Sequence, residues 1–256
     1  MSALRLALHF IRRDIRNRYL GSFSGGLWAL LQPLIQLAVY SFFFIRVLKA
    51  PIPQDSAAGY VPFLFMGLWP WNMFAESLVR ACTAIQDNAA LIGKVAMPSE
   101  VLVIAAVAST FIVQTFGFVA ICVVLKLFGE PIHLLFLPLA IAEFAQFFLL
   151  AFGIALIASS LQVFVRDLSS ALPQLLMLWM FASPVFYGRQ SIPERYRFWL
   201  DVNPVTHYTE TFRALLLGSG EVSLLGSLSA LVVALIVFAL GMTMFRRLKP
   251  HFEDFL

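Results

Sequence analysis

The sequence predicts an all-α integral membrane protein with six transmembrane helices and both termini cytoplasmic. An amphipathic interface helix precedes the first span, and a re-entrant helical segment separates the fifth from the sixth. Three observations carry this. Of 256 residues, 61% are hydrophobic and only 12% charged, with a mean hydropathy of +0.86. A soluble domain is about 45–50% apolar and about 25% charged, and no soluble fold of this length could hide so much apolar surface. Uncharged runs long enough to cross a bilayer recur along the whole chain. Lys and Arg are densest just before the first of those runs and recur just after the last.

Residues 1–20 form the interface helix. Leu4, Leu8, Ile11, Ile15 and Tyr19 fall on one face at about 100° per residue. Arg5, Arg12, Arg13 and Arg16 take the flank and far side, while Arg18 lies close to the apolar stripe. Arg5 interrupts the apolar stretch and no small-residue cleavage site precedes the arginines, so a surface helix fits better than a signal peptide.

The first span covers about 24–46, over an uncharged run from Tyr19 to Ile45 that Arg46 closes. Pro51 and Pro53 mark an external loop. The second span, 60–80, carries the kinked segment Trp69-Pro70-Trp71, and Glu76 and Arg80 stand four apart, suited to an ion pair. Residues 84–98 are polar at both ends and stopped by Pro98, which fits a short cytoplasmic helix. The third span is 101–125 and the fourth 136–165. Glu143 lies in the fourth. A carboxylate at a helix centre in the bilayer costs about 2.5–3.5 kcal/mol or more, which marks a functional candidate. Phe144–Val165 alone could span, however, leaving Glu143 at the outer interface. The fifth span is 168–188, between Arg166-Asp167 and Gly188. Residues 189–220 differ from every other connection: Val205–Leu217 is apolar but too short to cross, so a pair of re-entrant or interfacial helices is expected. The sixth span is 222–245, followed by an amphiphilic tail.

Positive charge sets the orientation. With the N-terminus inside, eleven of the eighteen Lys and Arg residues are cytoplasmic, and the densest cluster precedes the first span. Known catalytic signatures are missing: there is no GxxxxGK[ST], HExxH or GxSxG, and the four histidines are scattered. Cys82 and Cys122 read as buried, inert thiols. No metal site, no cofactor bound by this chain and no nucleic-acid partner are expected. The two halves do not repeat one another, which argues against a secondary transporter.

The ordered set RYLGSFSGGLWALLQP (Arg18–Pro33), LWPWNMF (Leu68–Phe74), NAALIGKVAMPSEVL (Asn88–Leu102), FVRDLSSALPQLLMLWMFASPVFY (Phe164–Tyr187), the Ile192–Gly218 block and FRRLKPHFEDFL (Phe245–Leu256) spans nearly the full length. It resembles the membrane (permease) subunit of ABC-type polysaccharide exporters, the O-antigen, teichoic acid and capsule export family. Gly25-Gly26-Leu27 departs from the single glycine preceded by leucine that the pattern leads one to expect. The resemblance implies one transmembrane domain over 1–256 in the inner membrane of a bacterium. It implies a homodimer, two separate ATPase subunits that carry ATP and Mg, and a lipid-linked glycan as substrate. Arg12, Arg13, Arg16, Asp87, Asn88 and Lys94 would then meet the ATPase. The first and fifth spans would line a conduit at the dimer interface, and 189–220 would form an external gate with Arg189, Arg195, Tyr196, Arg197, Trp199 and Tyr208.

Aromatic faces hold sugars without a fixed hydrogen-bond pattern. Trp28, Trp69, Trp71, Trp179, Phe181, Phe186 and Tyr187 are the candidates for such a track, although Trp and Tyr also form belts at membrane interfaces. Two other classes stay open at this point: an ABC permease for a smaller lipid or drug, and a non-ABC carrier.

Overall fold

The computed structural model describes residues 3–19, 27–49, 59–92, 98–220 and 222–255. Among these there is no strand. The helices are α1 (Ala3–Tyr19), α2 (Leu27–Phe42, continued by a π-helical turn over Phe43–Val47), α3 (Tyr60–Thr83), α4 (Ala89–Ile92) and α5 (Glu100–Leu127). They continue with α6 (Leu137–Phe164), α7 (Leu168–Ala182), α8 (Glu194–Val202), α9 (Pro204–Leu217) and α10 (Leu224–Leu248). Among the described residues three stretches, Glu100–Leu127, Leu134–Phe164 and Leu224–Phe252, are long and apolar enough to cross a membrane. Leu31–Val47 and Leu168–Ala182 are shorter apolar helices.

The fifth predicted span ends early. The sequence suggests 168–188, but α7 stops at Ala182. Pro184 disfavours helical geometry at Ser183, whose backbone is extended (φ −104°, ψ 149°). At fifteen residues α7 is about 22 Å long, short of a hydrocarbon core of about 30 Å.

The centre of the bundle is α3, which packs on α5, α6 and α9 and carries α2 and α7 on its remaining surface. Ring contacts, two stacked and one tilted, join these helices. Phe65 of α3 lies 5.2 Å from Phe118 of α5, Phe74 lies 5.0 Å from Phe147 of α6, and Phe144 of α6 lies 4.4 Å from Phe212 of α9. The most extensive helix pair is α6 with α10. Its crossing point is glycine on glycine: a Cβ at Gly153 would sit 2.6 Å from the Phe238 amide nitrogen, and one at Gly241 would fall on the Gly153 carbonyl. Small residues allow such close backbone approach between helices in lipid.

One end of the bundle gathers the N-terminal helix, the α3–α5 connection and the tail. Arg13 donates to Asn88 at 2.7 Å, Lys249 pairs with Glu100 at 3.0 Å, and Phe252 packs on Phe245 and Phe164. The other end holds α8, α9 and a ring cluster of Tyr40, Phe44, Tyr60 and Phe186. Large apolar side chains remain exposed on α2 (Ile35, Val39, Phe42), α7 (Leu175, Leu178, Phe181) and α10 (Leu224, Leu225, Leu228).

The amphipathic N-terminal helix is present but does not lie apart from the bundle. It runs along α5. The docked face is centred on Phe10, with Leu6, Ala7 and Ile11 beside it, and Leu8 of the predicted stripe is exposed. Ion pairs decide the orientation. The predicted Glu76–Arg80 pair within α3 is not made; Glu76 pairs with Arg18 and Arg80 with Asp14 (2.6 Å), both on α1. Each acid gains a cation from another helix and so fixes tertiary structure rather than one turn.

Candidate functional site

The first candidate region is a polar layer between α1, α3 and α5. Asp14 and Arg18 lie one turn apart on α1, and Glu76 and Arg80 one turn apart on α3. The pairs Asp14–Arg80 and Arg18–Glu76 therefore form an antiparallel ladder. Helix α5 completes it: Gln114 Nε2 donates to Glu76 Oε2 at 2.8 Å, and the Ser109 hydroxyl donates to Asp14. All four charged side chains are about one-fifth to one-third exposed (20–31%).

At the end of this ladder lies a cavity of about 310 Å³ lined by Phe10, Arg13, Asp14, Arg80, Asp87 and Asn88. Arg13 also lies over the Phe10 ring at 4.5 Å, and Thr83 donates to Asp87 at 2.8 Å. Of the residues predicted to meet an ATPase, the fold thus brings Arg13, Asp87 and Asn88 together. Arg12 and Arg16 are exposed on α1 beyond the cavity, and Lys94 lies outside the described residues. Asp14, Ser109 and Gln114 carry no signal in the sequence, because the contacts of this layer join residues 38 to 95 positions apart and no local spacing marks them. The ladder has a direct test. Arg18→Glu and Glu76→Arg are each expected to lower the melting temperature of the purified protein, and the double exchange to recover most of the loss. A coupling of about 0.5–3 kcal/mol is the range for contacting residues; additive losses would show that the pair is unimportant.

The second region is the predicted aromatic track. Trp69 and Trp71 are 2% and 3% exposed and Phe186 is buried, so these three present no open ring face. Trp69 Nε1 donates to the Gln114 carbonyl at 3.0 Å, and Trp71 meets Trp179 edge-on at 6.0 Å. Packing against α5 and α7 turns them inward. Trp28 (54%) and Phe181 (56%) are exposed, on the two helices that flank α3, and Trp179 and Tyr187 are partly exposed. A polar cleft of about 260 Å³ opens beside α2, lined by Gln32, Gln36, Asn72, Glu76 and Gln114 together with Arg18.

The third region is the predicted gate. Asn203 caps α9 by accepting from Val205 N at 3.1 Å, accepts from Trp179 Nε1 at 3.0 Å, and donates to Ser183 Oγ at 2.8 Å. That one side chain ties the end of α7 to the start of α9. Arg189 pairs with Asp201 at 2.6 Å, Arg197 with Glu194 at 3.5 Å, and Arg195 lies over the Tyr196 ring at 4.6 Å. Trp199 is exposed. Tyr208 is not at the surface: it is fully buried and stacks on Phe147 at 4.5 Å, so it belongs to the core.

Arg213 of α9 is also buried. Its guanidinium donates to the carbonyls of Pro184 (2.7 Å), Val185 (2.7 Å) and Phe63 (3.3 Å), and lies 3.6 Å from the Phe63 ring centroid. Gly67 leaves the room: a Cβ there would stand 2.6 Å from the guanidinium. Glu143 is inside the bundle as well. Ser227 donates to its Oε1 at 2.9 Å, and His207 Nε2 lies 3.5 Å from its Oε2.

A family model described as ABC-2 type transporter matches residues 6–217. The chain is 28% identical over 254 residues to an O-antigen export system permease protein of Klebsiella pneumoniae, covering 95% of this chain and 92% of that protein. It is 28% identical over 214 residues to an O-antigen export system permease protein of Myxococcus xanthus, covering 82% and 79%. It is 27% identical over 241 residues to a polysialic acid transport protein of Escherichia coli, covering 91% and 90%.

Proposed function

The chain belongs to the ABC-2 type transporter family, and from that premise we propose that it is the permease subunit of an ATP-driven exporter moving lipid-linked polysaccharide out of a bacterial cytoplasm. It is a transport subunit, and ATP hydrolysis belongs to a separate ATPase partner. The polysaccharide cargo is supported by relatives named for O-antigen export and polysialic acid transport, each matched over most of both chains. The remaining detail is the reading that fits best: six crossings of the inner membrane, both termini cytoplasmic, and two copies of the chain above two ATPase subunits.

The structural observation that carries the mechanism is the ladder with its cavity. ATP-driven movement of a partner seated against Arg12, Arg13, Arg16 and the Asp87–Lys94 segment would reach α1, and the two ion pairs would pass it to α3. Both α2 and α7 rest on α3, so displacement of α3 moves the two helices that bear Trp28, Trp179 and Phe181. In a dimer those helices would face each other across the conduit, which gives their exposed apolar faces a role. Residues 189–220 would cover the outer exit, with Arg189, Arg195, Tyr196, Arg197 and Trp199 at its surface.

Depletion of the chain in its native host tests this. Long lipid-linked glycan is expected to accumulate on the cytoplasmic side, with loss of surface glycan. Normal surface glycan and no internal build-up would overturn the reading in favour of a smaller lipid or drug as cargo.

A further inference from the structure

The corner where α8, α9 and α10 meet holds a cavity on the inner side of the 189–220 segment. Its volume is about 380 Å³, within the range of about 300–1,000 Å³ of small-ligand sites. Arg189, Asp201, Thr206 and Glu210 are in its lining, and α10 closes one side with Ser229 and Val233. Two buried oxygens in this lining, Glu210 Oε1 and Thr206 Oγ1, have no hydrogen-bond partner, and Thr206 is only 3% exposed. Burial also holds the Glu210 carboxyl above its ordinary range, against the pull of Arg189 and Arg213. His207, whose Nε2 faces Glu143, pulls the same way as the two arginines without overcoming the burial.

What the two oxygens lack is a donor, and a primary ammonium brings three N–H groups and a positive charge. The cavity also holds the opposite sign. Arg189 Nη1 is on Asp201, and a guanidinium has five donors, which suits a phosphate as well. A sugar fits less well: among the described residues no Trp, Tyr or Phe lines the cavity to offer a broad stacking face. Nor do three His, Cys, Asp or Glu side chains converge as a metal would require, among the described residues. The α10 wall continues into the exposed apolar side chains Leu225, Leu228 and Val232, a surface for acyl chains.

We propose that this cavity binds the phosphoethanolamine headgroup of a membrane phospholipid. The ammonium donates to Glu210 Oε1 and Thr206 Oγ1, the phosphate meets Arg189, and the acyl chains lie along α10. The site rests on the membrane reading of the chain and not on its glycan cargo.

The test is native mass spectrometry of the full chain purified from membranes and titrated with phosphatidylethanolamine or phosphatidylcholine. The two headgroups have the same net charge, but the trimethylated ammonium has no N–H. Phosphatidylethanolamine is expected to bind about tenfold more tightly, the effect of one charge-assisted hydrogen bond, and Glu210→Gln should remove that preference. Ser229→Phe, which fills the cavity from an exposed position on α10, should do the same without touching the buried oxygens. Equal retention of both lipids would overturn the site while leaving the membrane assignment intact. Retention of free phosphoethanolamine without the lipid would overturn the lipid as its source.

Discussion

Gly241→Leu is expected to abolish the folded protein. The α6–α10 pair is the largest helix contact in the bundle, and at its crossing the two backbones touch. A leucine Cβ at 241 would lie on the Gly153 carbonyl oxygen, with the carbonyl carbon 3.1 Å and the Gly153 Cα 3.3 Å away. Backbone atoms of a helix cannot swing aside, so the helices must separate over their whole contact. Overpacking costs about 1–3 kcal/mol where side chains can adjust; here the cost lies above that range. Gly153→Val should behave alike, since its Cβ would stand 2.7 Å from Phe238 Cα. Gly59 is the control: an added methyl there would meet no atom within 4 Å, and Gly59→Ala should be neutral. Size-exclusion profiles and thermal melts of the detergent-purified variants check this. A monodisperse Gly241→Leu protein with unchanged melting would refute the close crossing.

The second large effect is expected at Arg213. Arg213→Met removes the donors for the Pro184 and Val185 carbonyls, both at 2.7 Å. A buried polar group left unpaired costs about 1–3 kcal/mol, so two amount to about 2–6 kcal/mol. Typical total stabilities are only about 5–15 kcal/mol. The chain turn after α7 should come away from α9, with a steep fall in melting temperature and loss of transport. Arg213→Lys should recover only part, because an ammonium is a compact donor that cannot span carbonyls a guanidinium reaches with separate nitrogens. Wild-type melting of Arg213→Met would show that the chain turn after α7 stands without it.

These two sites differ in how legible they are from sequence. Helix positions follow from uncharged run length, and most limits agree closely: 60–80 against Tyr60–Thr83, 101–125 against Glu100–Leu127, 222–245 against Leu224–Leu248. Pro184 is visible as a breaker, yet the apolar Val185-Phe186-Tyr187 that follows draws the fifth span on to 188. Arg213 is invisible as a buried group, since its carbonyl partners come from segments 26 to 150 residues away. Trp69 and Trp71 cannot be sorted into core or conduit, because an aromatic in a kinked apolar segment suits either until its neighbours are placed. The face of α1 is misread for the same reason. Its stripe is drawn for lipid alone, whereas α5 and the two carboxylate–cation pairs choose the angle.

The ladder has a further consequence for how force travels. Its order is acid then base on α1 and acid then base on α3, running in opposite directions. If α1 slid one helical turn, about 5.4 Å, in one direction, Asp14 would come opposite Glu76. In the other direction Arg18 would come opposite Arg80. Either slip replaces attraction with repulsion, so the linkage has no neighbouring notch to fall into. On the proposed mechanism, a push on α1 would therefore reach α3 without backlash, in the manner of a keyed shaft rather than a friction clutch.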